Sequence, residues 1–247
     1  MIEARNISKT YENGVEALNN ISFNVKEGES CSIIGPSGCG KSTLLFIFSG
    51  LLNPSGGEAK VSGRKMSSRN KDIRDIALVL QDYGLFPWKT VHQNISIGME
   101  IRGIDKKKSH QRIGNLLSDL GLEGFENYYP KQLSGGMRQR VAFARALALD
   151  PQILLMDEPL SSLDALSRER LQNFLLDLWI KNNITMLLVT HSIEEAVFLG
   201  KKIVVLSPRP GEVVSIIDNS EAGSAEYRNK KEFFQKCREV RQSVGVI

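Results

Sequence analysis

Cysteine and histidine are scarce in this chain, and their scarcity closes off chemistry before any motif is read. The three cysteines, Cys31, Cys39 and Cys237, stand apart with no C-x-x-C spacing, and only three histidines accompany them. A zinc site needs clustered ligands, so none is expected, and the scattered thiols suit a reducing cytosol. Long apolar runs are missing too. No stretch approaches the ~20 apolar residues that span a bilayer, and residues 1–5 lack the apolar centre of a secretion signal. Any membrane role is therefore expected to come through a partner. The third absence is one-sided charge: 32 basic against 28 acidic residues leave +4, too even for a dedicated nucleic-acid binder. No internal repeat or low-complexity tract appears. What is present, 247 residues of which 41% are hydrophobic, suffices for one large α/β domain with room for a helical insertion.

The most informative segment is Gly35-Pro36-Ser37-Gly38-Cys39-Gly40-Lys41-Ser42, which fits G-x-x-x-x-G-K-[ST]. Glycines allow positive φ and a close approach of backbone N–H groups to phosphate, and the helix that follows aims its positive dipole end at the anion. Lys41 is expected on the β- and γ-phosphates of a nucleoside triphosphate, with Ser42 on Mg²⁺ and Thr43 beside it. Residues 30–34 read as a short strand before the loop and 42–49 as an apolar helix after it.

Elsewhere, alternating residues 2–7 and 21–25 predict antiparallel strands, and 58–61 and 76–80 further strands, the last ending at Gln81. From 91 to 149 the pattern turns helical: Ile113, Leu116, Leu117 and Leu120 recur at helical spacing, and Gly121 closes that helix. Apolar runs at 153–156 and 185–189, separated by an amphipathic helix over 165–181, make a βαβ rhythm that implies parallel strands. Residues 203–206 predict another strand and 225–242 a charged helix. The expected organisation is one domain: residues 1–90 and 150–218 form a nucleotide-binding core with a β-subdomain, 91–149 a helical subdomain, and 219–247 a short helical tail.

Residues 153–158, Ile-Leu-Leu-Met-Asp-Glu, form a buried-strand run ending in two carboxylates. Asp157 would hold Mg²⁺, and Glu158 would orient the attacking water and accept its proton, because phosphoryl transfer depends on positioning and charge stabilisation. A second Gly-rich segment, Leu133-Ser134-Gly135-Gly136-Met137-Arg138-Gln139-Arg140, opens a helix and suits an anion through backbone donors and a serine hydroxyl.

With these segments, Gln81 and His191 in one order, the chain resembles the ATP-binding cassette (ABC) ATPases over most of its length. The resemblance implies an α/β P-loop NTPase fold, RecA-like, with a mainly parallel sheet, an N-terminal antiparallel β-subdomain and an inserted α-helical subdomain. It implies two cassettes pairing head to tail, each ATP lying between the phosphate loop of one and Ser134, Gly135 and Gly136 of the other. Tyr11 matches the aromatic that stacks on adenine, Gln81 the glutamine that reaches Mg²⁺, and His191 the switch histidine near the γ-phosphate and attacking water. Ser161-Ser162-Leu163-Asp164 matches the loop that crosses the dimer interface, with Ser162 where alanine is common.

Residues 82–88, Asp-Tyr-Gly-Leu-Phe-Pro-Trp, place aromatics in a loop, where exposure is costly; the resemblance makes 81–88 the groove for a transmembrane permease. Phe86-Pro87-Trp88, residues 194–199 and residues 205–211 look like the nitrate, sulfonate and taurine importer branch. The implied protein is a peripheral, cytoplasmic-face ATPase subunit, a homodimer or paired cassette, with an external solute-binding protein acting only indirectly and no nucleic acid. Alternatives are another importer or an exporter, a DNA-maintenance ATPase and a nucleotide-gated regulator without turnover. The DNA reading needs long coiled coils that positions 42–132 do not supply. Cys39, inside the phosphate loop, is expected to react with thiol reagents unless ATP covers it, and the basic residues around Lys106 and Arg228 to form solvated faces.

Overall fold

The computed structural model describes residues 1–68 and 75–245; the last two residues of the tail segment lie outside them. The N-terminal residues alternate in burial as a half-covered sheet requires. Strand β1 (Ile2–Thr10) buries Ile2, Ala4 and Ile7 and pairs antiparallel with β2 (Glu16–Val25) and with β4 (Gly56–Val61). With β5 (Arg64–Lys65) they form a four-stranded sheet in the order β2-β1-β4-β5.

The second sheet has six strands in the order β10-β9-β3-β8-β7-β6. Strands β3 (Ser30–Ile34), β6 (Ile76–Val79), β7 (Ile153–Asp157), β8 (Thr185–Thr190) and β9 (Lys202–Leu206) run parallel, and β10 (Val213–Asp218) closes the edge antiparallel to β9. Residues of β7 divide between two hydrophobic clusters, Leu154 and Met156 on one face and Ile153 and Leu155 on the other. Burial on both faces is why β7 and β8 read as nearly continuous apolar runs, and β3 is as fully buried although it carries Ser30 and Ser32. Helix α1 (Lys41–Phe48) and the small sheet cover one face.

Helices α2 (Val91–Ile101), α3 (Lys106–Asp119) and α4 (Gly135–Leu147) lie between β6 and β7 in sequence, and α5 (Ala165–Asn182) crosses from β7 to β8. Each begins at a side chain that satisfies exposed N–H groups: Thr90 with Gln93 in a capping box, Asp105, Ser134 and Asp164. The α/β class, the mainly parallel sheet, the antiparallel N-terminal sheet and the inserted helices follow the sequence expectation. Among the described residues no helix is long and apolar enough to cross a membrane.

Three features depart from that expectation. Strand β10 carries no clean alternation signal, because Val214 and Ile216 face outward on an edge strand. Helix α6 (Ile193–Leu199) is only seven residues long, too short for a periodic pattern, and is started by Ser192 accepting from Glu195 N. The tail is not one helix over 225–242: a 3₁₀ turn (Ala225–Asn229) precedes α7 (Lys231–Gly245), with Lys230 extended between them. Anchoring explains the break. Tyr227 Oη donates to Asn219 Oδ1 at 2.6 Å, and the Arg228 guanidinium sits 4.1 Å from the Phe198 ring centroid while pairing with Glu169 and Asn173. Arg228 is thus a clasp on α5 and α6 rather than part of a solvated basic face.

Candidate active site

The turn from β3 into α1 wraps a concave loop. Gly40 caps α1 at φ 99, and a Cβ there would meet Ala17 O at 2.7 Å and Leu18 Cδ2 at 2.6 Å, so only glycine fits. Lys41 is 6% exposed, and its Nζ donates to Gly35 O at 2.8 Å and Pro36 O at 3.0 Å. These partners are neutral carbonyls, so the ammonium lacks a counter-charge among them, an arrangement that suits an incoming anion at a helix N-terminus. Tyr11 lies just past β1 with its hydroxyl 3.0 Å from Thr43 Oγ1, which brings it to the start of α1.

Cys39 lies in this loop, but it is 1% exposed, and burial pushes its thiol above the usual range against the nearby Lys41 charge. The expected attack by thiol reagents is corrected accordingly: the nucleophile is the thiolate, and here it is both hidden and disfavoured.

Strand β7 delivers the carboxylates. Ser42 Oγ donates to Asp157 Oδ1 at 3.0 Å. Burial raises the Asp157 carboxyl, opposed by the Ser42 hydrogen bond, raised further by the Glu158 charge and lowered by Lys41. A desolvated carboxylate touching a hydroxyl is a hard-oxygen donor pair that fits Mg²⁺, which takes one or two protein oxygens and completes its shell with phosphate and water. Among the described residues no three His, Cys, Asp or Glu side chains gather into a self-sufficient metal site.

Glu158 sits at φ 43, a conformation that is unusual for glutamate. Its N–H donates to Val189 O at 2.9 Å, locking it beside the end of β8. The side chain is 15% exposed, and Oε2 is approached by Gln81 Nε2 at 3.2 Å and His191 Nδ1 at 3.1 Å. Thus Gln81, Glu158 and His191 converge, with the half-exposed His191 on the open side, while Ser42 and Asp157 form a second pair. The structure attaches Gln81 to Glu158 rather than directly to the Ser42–Asp157 pair. Ser134 caps α4 by accepting from Met137 N at 3.2 Å, and Gly135 and Gly136 follow it. Asp164 caps α5 by accepting from Ser167 N at 3.0 Å, and the Ser167 hydroxyl, together with this backbone bond, holds its carboxyl below the usual range.

Two further residues were given no role in the site by the sequence. Asn94, fully buried on α2, accepts from Phe86 N at 2.8 Å and donates to the carbonyls of Phe86, Lys89 and Thr90, setting the aromatic loop's shape. Glu195 on α6 is buried against the Thr190 hydroxyl, while Thr190 Oγ1 accepts from Ser192 N at 3.0 Å, so the two bracket His191. Burial pushes the Glu195 carboxyl up to about 7 from 4.5, despite the Thr190 hydrogen bond and the Arg168 and His191 charges. The folded protein therefore keeps a proton there that the unfolded chain releases, and stability falls as pH rises from 4.5 through 7. Glu195→Gln should remove that slope and leave the variant more stable than the parent at pH 8, by at most about 3 kcal/mol, with little difference at pH 4. Urea unfolding across this range checks it; parallel stability profiles for variant and parent would refute the assignment.

Known proteins share this architecture. The sequence pattern of the family described as ABC transporter matches residues 18–161. An uncharacterized ABC transporter ATP-binding protein of Methanocaldococcus jannaschii is 44% identical over 240 residues, covering 93% of this chain and 89% of that protein. The taurine import ATP-binding protein TauB of Roseobacter denitrificans is 42% identical over 86% of this chain and 80% of its own. The aliphatic sulfonates import ATP-binding protein SsuB of Bacillus thuringiensis is 43% identical over 83% and 80%. Among solved structures, a dimeric ATP-binding cassette in a post-hydrolysis state bound to ADP and Pi superposes with TM-score 0.81 at 36% identity, covering 89% of this chain and 99% of that one. A cassette of the cbiONQ transporter complex of Clostridium perfringens gives 0.79 at 28% identity over 99% and 97%. Sequence and fold converge on one assignment: this chain belongs to the ABC transporter family as an ATP-binding ATPase cassette.

Proposed function

We propose that this chain is the ATP-hydrolysing subunit of an importer for small anions of the nitrate, sulfonate or taurine type, working as a head-to-tail pair beneath a transmembrane permease. The single observation that carries the catalytic reading is the convergence of Gln81 and His191 on Glu158 Oε2, one residue after the Asp157 that meets Ser42. In this reading residues 35–43 and Lys41 hold the triphosphate, and Tyr11 faces adenine. Ser42, Asp157 and Gln81 would hold Mg²⁺. Bound Mg²⁺ supplies charge neutralisation on the phosphate oxygens. Glu158 orients the water and takes its proton, and His191 adds a polar contact on the open side. Ser134, Gly135, Gly136 and Asp164 serve the ATP of the opposite copy, so that closure of the pair completes both sites.

The transport half rests on the aromatic loop and on the relatives' import names. Trp88 is 69% exposed and its ring centroid lies 5.6 Å from that of Phe86, which makes an apolar aromatic projection of this loop. A permease helix seated there places the chain on the cytoplasmic membrane face, with any solute-binding protein on the far side. Free energy enters through the differing ATP affinities of open and closed pairs. Affinity-purified from detergent-solubilised membranes of its source cells, the chain should retain a membrane-spanning permease. Phe86→Ala/Trp88→Ala should lose it while still releasing phosphate from ATP. Retention by the double variant, or recovery of nucleic acid in place of permease, would overturn the reading.

A further inference from the structure

Tyr83 has no role in the site drawn above, yet it touches three segments that the site uses. Its hydroxyl donates to Ser162 Oγ at 2.9 Å, two residues before the Asp164 cap. Its ring lies 5.6 Å from the Arg138 guanidinium on α4. A Cβ added to Gly135 would stand 3.6 Å from the Tyr83 hydroxyl and 4.0 Å from Ser162 O, so the Gly-rich start of α4 rests against the same junction. Two residues earlier, Gln81 holds Glu158; three residues later the exposed aromatic loop begins.

The orientation of Tyr83 is held rather than incidental. Its backbone lies at φ 66 and that of Gly84 at φ 55, and a bulky side chain rarely adopts the former. Arg145 of α4 clamps the turn, donating to Tyr83 O at 2.8 Å and Gly84 O at 2.6 Å. On the other side, Ser161 Oγ donates to Glu158 O at 3.0 Å. A continuous path of bonds therefore runs from the aromatic loop through Tyr83 and Ser162 to the backbone of Glu158. Ser162 supplies the hydroxyl that closes it.

We propose that the Tyr83–Ser162 hydrogen bond is a positioning strut, linking the placement of the 86–88 loop to the 161–164 segment and through it to Glu158. The inference rests on the ATPase-importer reading and adds to it a residue pair through which one loop biases the other. Small displacements of a positioned base have large effects on rate, so loss of the strut is expected to appear in kcat rather than in ATP binding.

The test is a double-mutant cycle on phosphate release. Tyr83→Phe and Ser162→Ala should each lower kcat by about three- to tenfold, the effect of one lost hydrogen bond, with KM for ATP near the parental value. The double variant should be no slower than either single one. Ser162→Thr, which restores a hydroxyl, should recover kcat to within about twofold of the parent. Unchanged kcat in either single variant, losses that multiply in the double, or losses that follow the melting temperature would overturn the strut. Glu158→Gln, assayed alongside, separates the two claims. An active parent and inactive Glu158→Gln with unaffected strut variants remove only the strut; a parent that releases no phosphate removes the ATPase reading with it.

Discussion

Glu158→Gln should release phosphate from ATP at least a hundredfold more slowly than the parent, while binding ATP as well or better. General-base contributions run at about 10²–10⁴ in rate, and the amide keeps the size and hydrogen-bonding reach of the carboxylate. Gln81 and His191 retain a partner at the same place, since the 3.2 and 3.1 Å contacts meet a side-chain terminus that the substitution preserves in shape. Binding and closure survive while proton acceptance is lost, so the variant should accumulate as an ATP-dependent dimer in size-exclusion chromatography. ADP should leave it monomeric. Parental turnover in this variant would move the base elsewhere, and a monomer in saturating ATP would remove the head-to-tail arrangement.

The second large effect is expected at Lys41. Its ammonium lies within a cradle of backbone carbonyls, bonded to Gly35 O and Pro36 O. A charge-assisted hydrogen bond contributes about 1.5–3 kcal/mol, so Lys41→Ala should weaken ATP binding by roughly ten- to a hundredfold. The unliganded fold should tolerate the change, because the variant no longer has a buried ammonium and the two carbonyls it engaged can turn to water. Calorimetric titration and melting temperature separate these effects. Ligand at a hundred times Kd adds about 2.7 kcal/mol of stability, and at the same ATP concentration that increment should fall to about 0.4–1.4 kcal/mol in Lys41→Ala. Lys41→Arg should not restore it, since a planar guanidinium cannot occupy a site shaped for a point charge that is 6% exposed. Equal ATP protection of parent and Lys41→Ala would place the triphosphate elsewhere.

The two predictions draw on different kinds of information. Gly35 to Ser42 are contiguous, so their spacing alone indicates a loop entering a helix, and strand and helix follow from local apolar pattern. The same is true of the carboxylate pair at the end of β7, whose apolar run is continuous because both of its faces are buried. The contacts of Glu195 and Asn94 were invisible for the opposite reason. Neither a glutamate on a short helix nor an asparagine inside a longer one shows its contacts in the local pattern, and their importance comes from burial and from partners at the end of β8 and in the aromatic loop. Cys39 misled for a related reason, since its place in the phosphate loop is legible while its enclosure depends on packing against other elements.

The sequence by itself determined the class of ligand and the alternation of strands and helices, because these depend on residues close together in the chain, and the family, because its short segments stand in one order along it. Only the tertiary structure decided which atoms meet: Gln81 with Glu158 across 77 positions, Ser42 with Asp157 across 115, and Tyr83 with Ser162 across 79. Such meetings are set by strand order in the parallel sheet and by the crossovers between its strands. Hydrogen-bond geometry tolerates only a few tenths of an ångström, a precision that no spacing along a chain encodes.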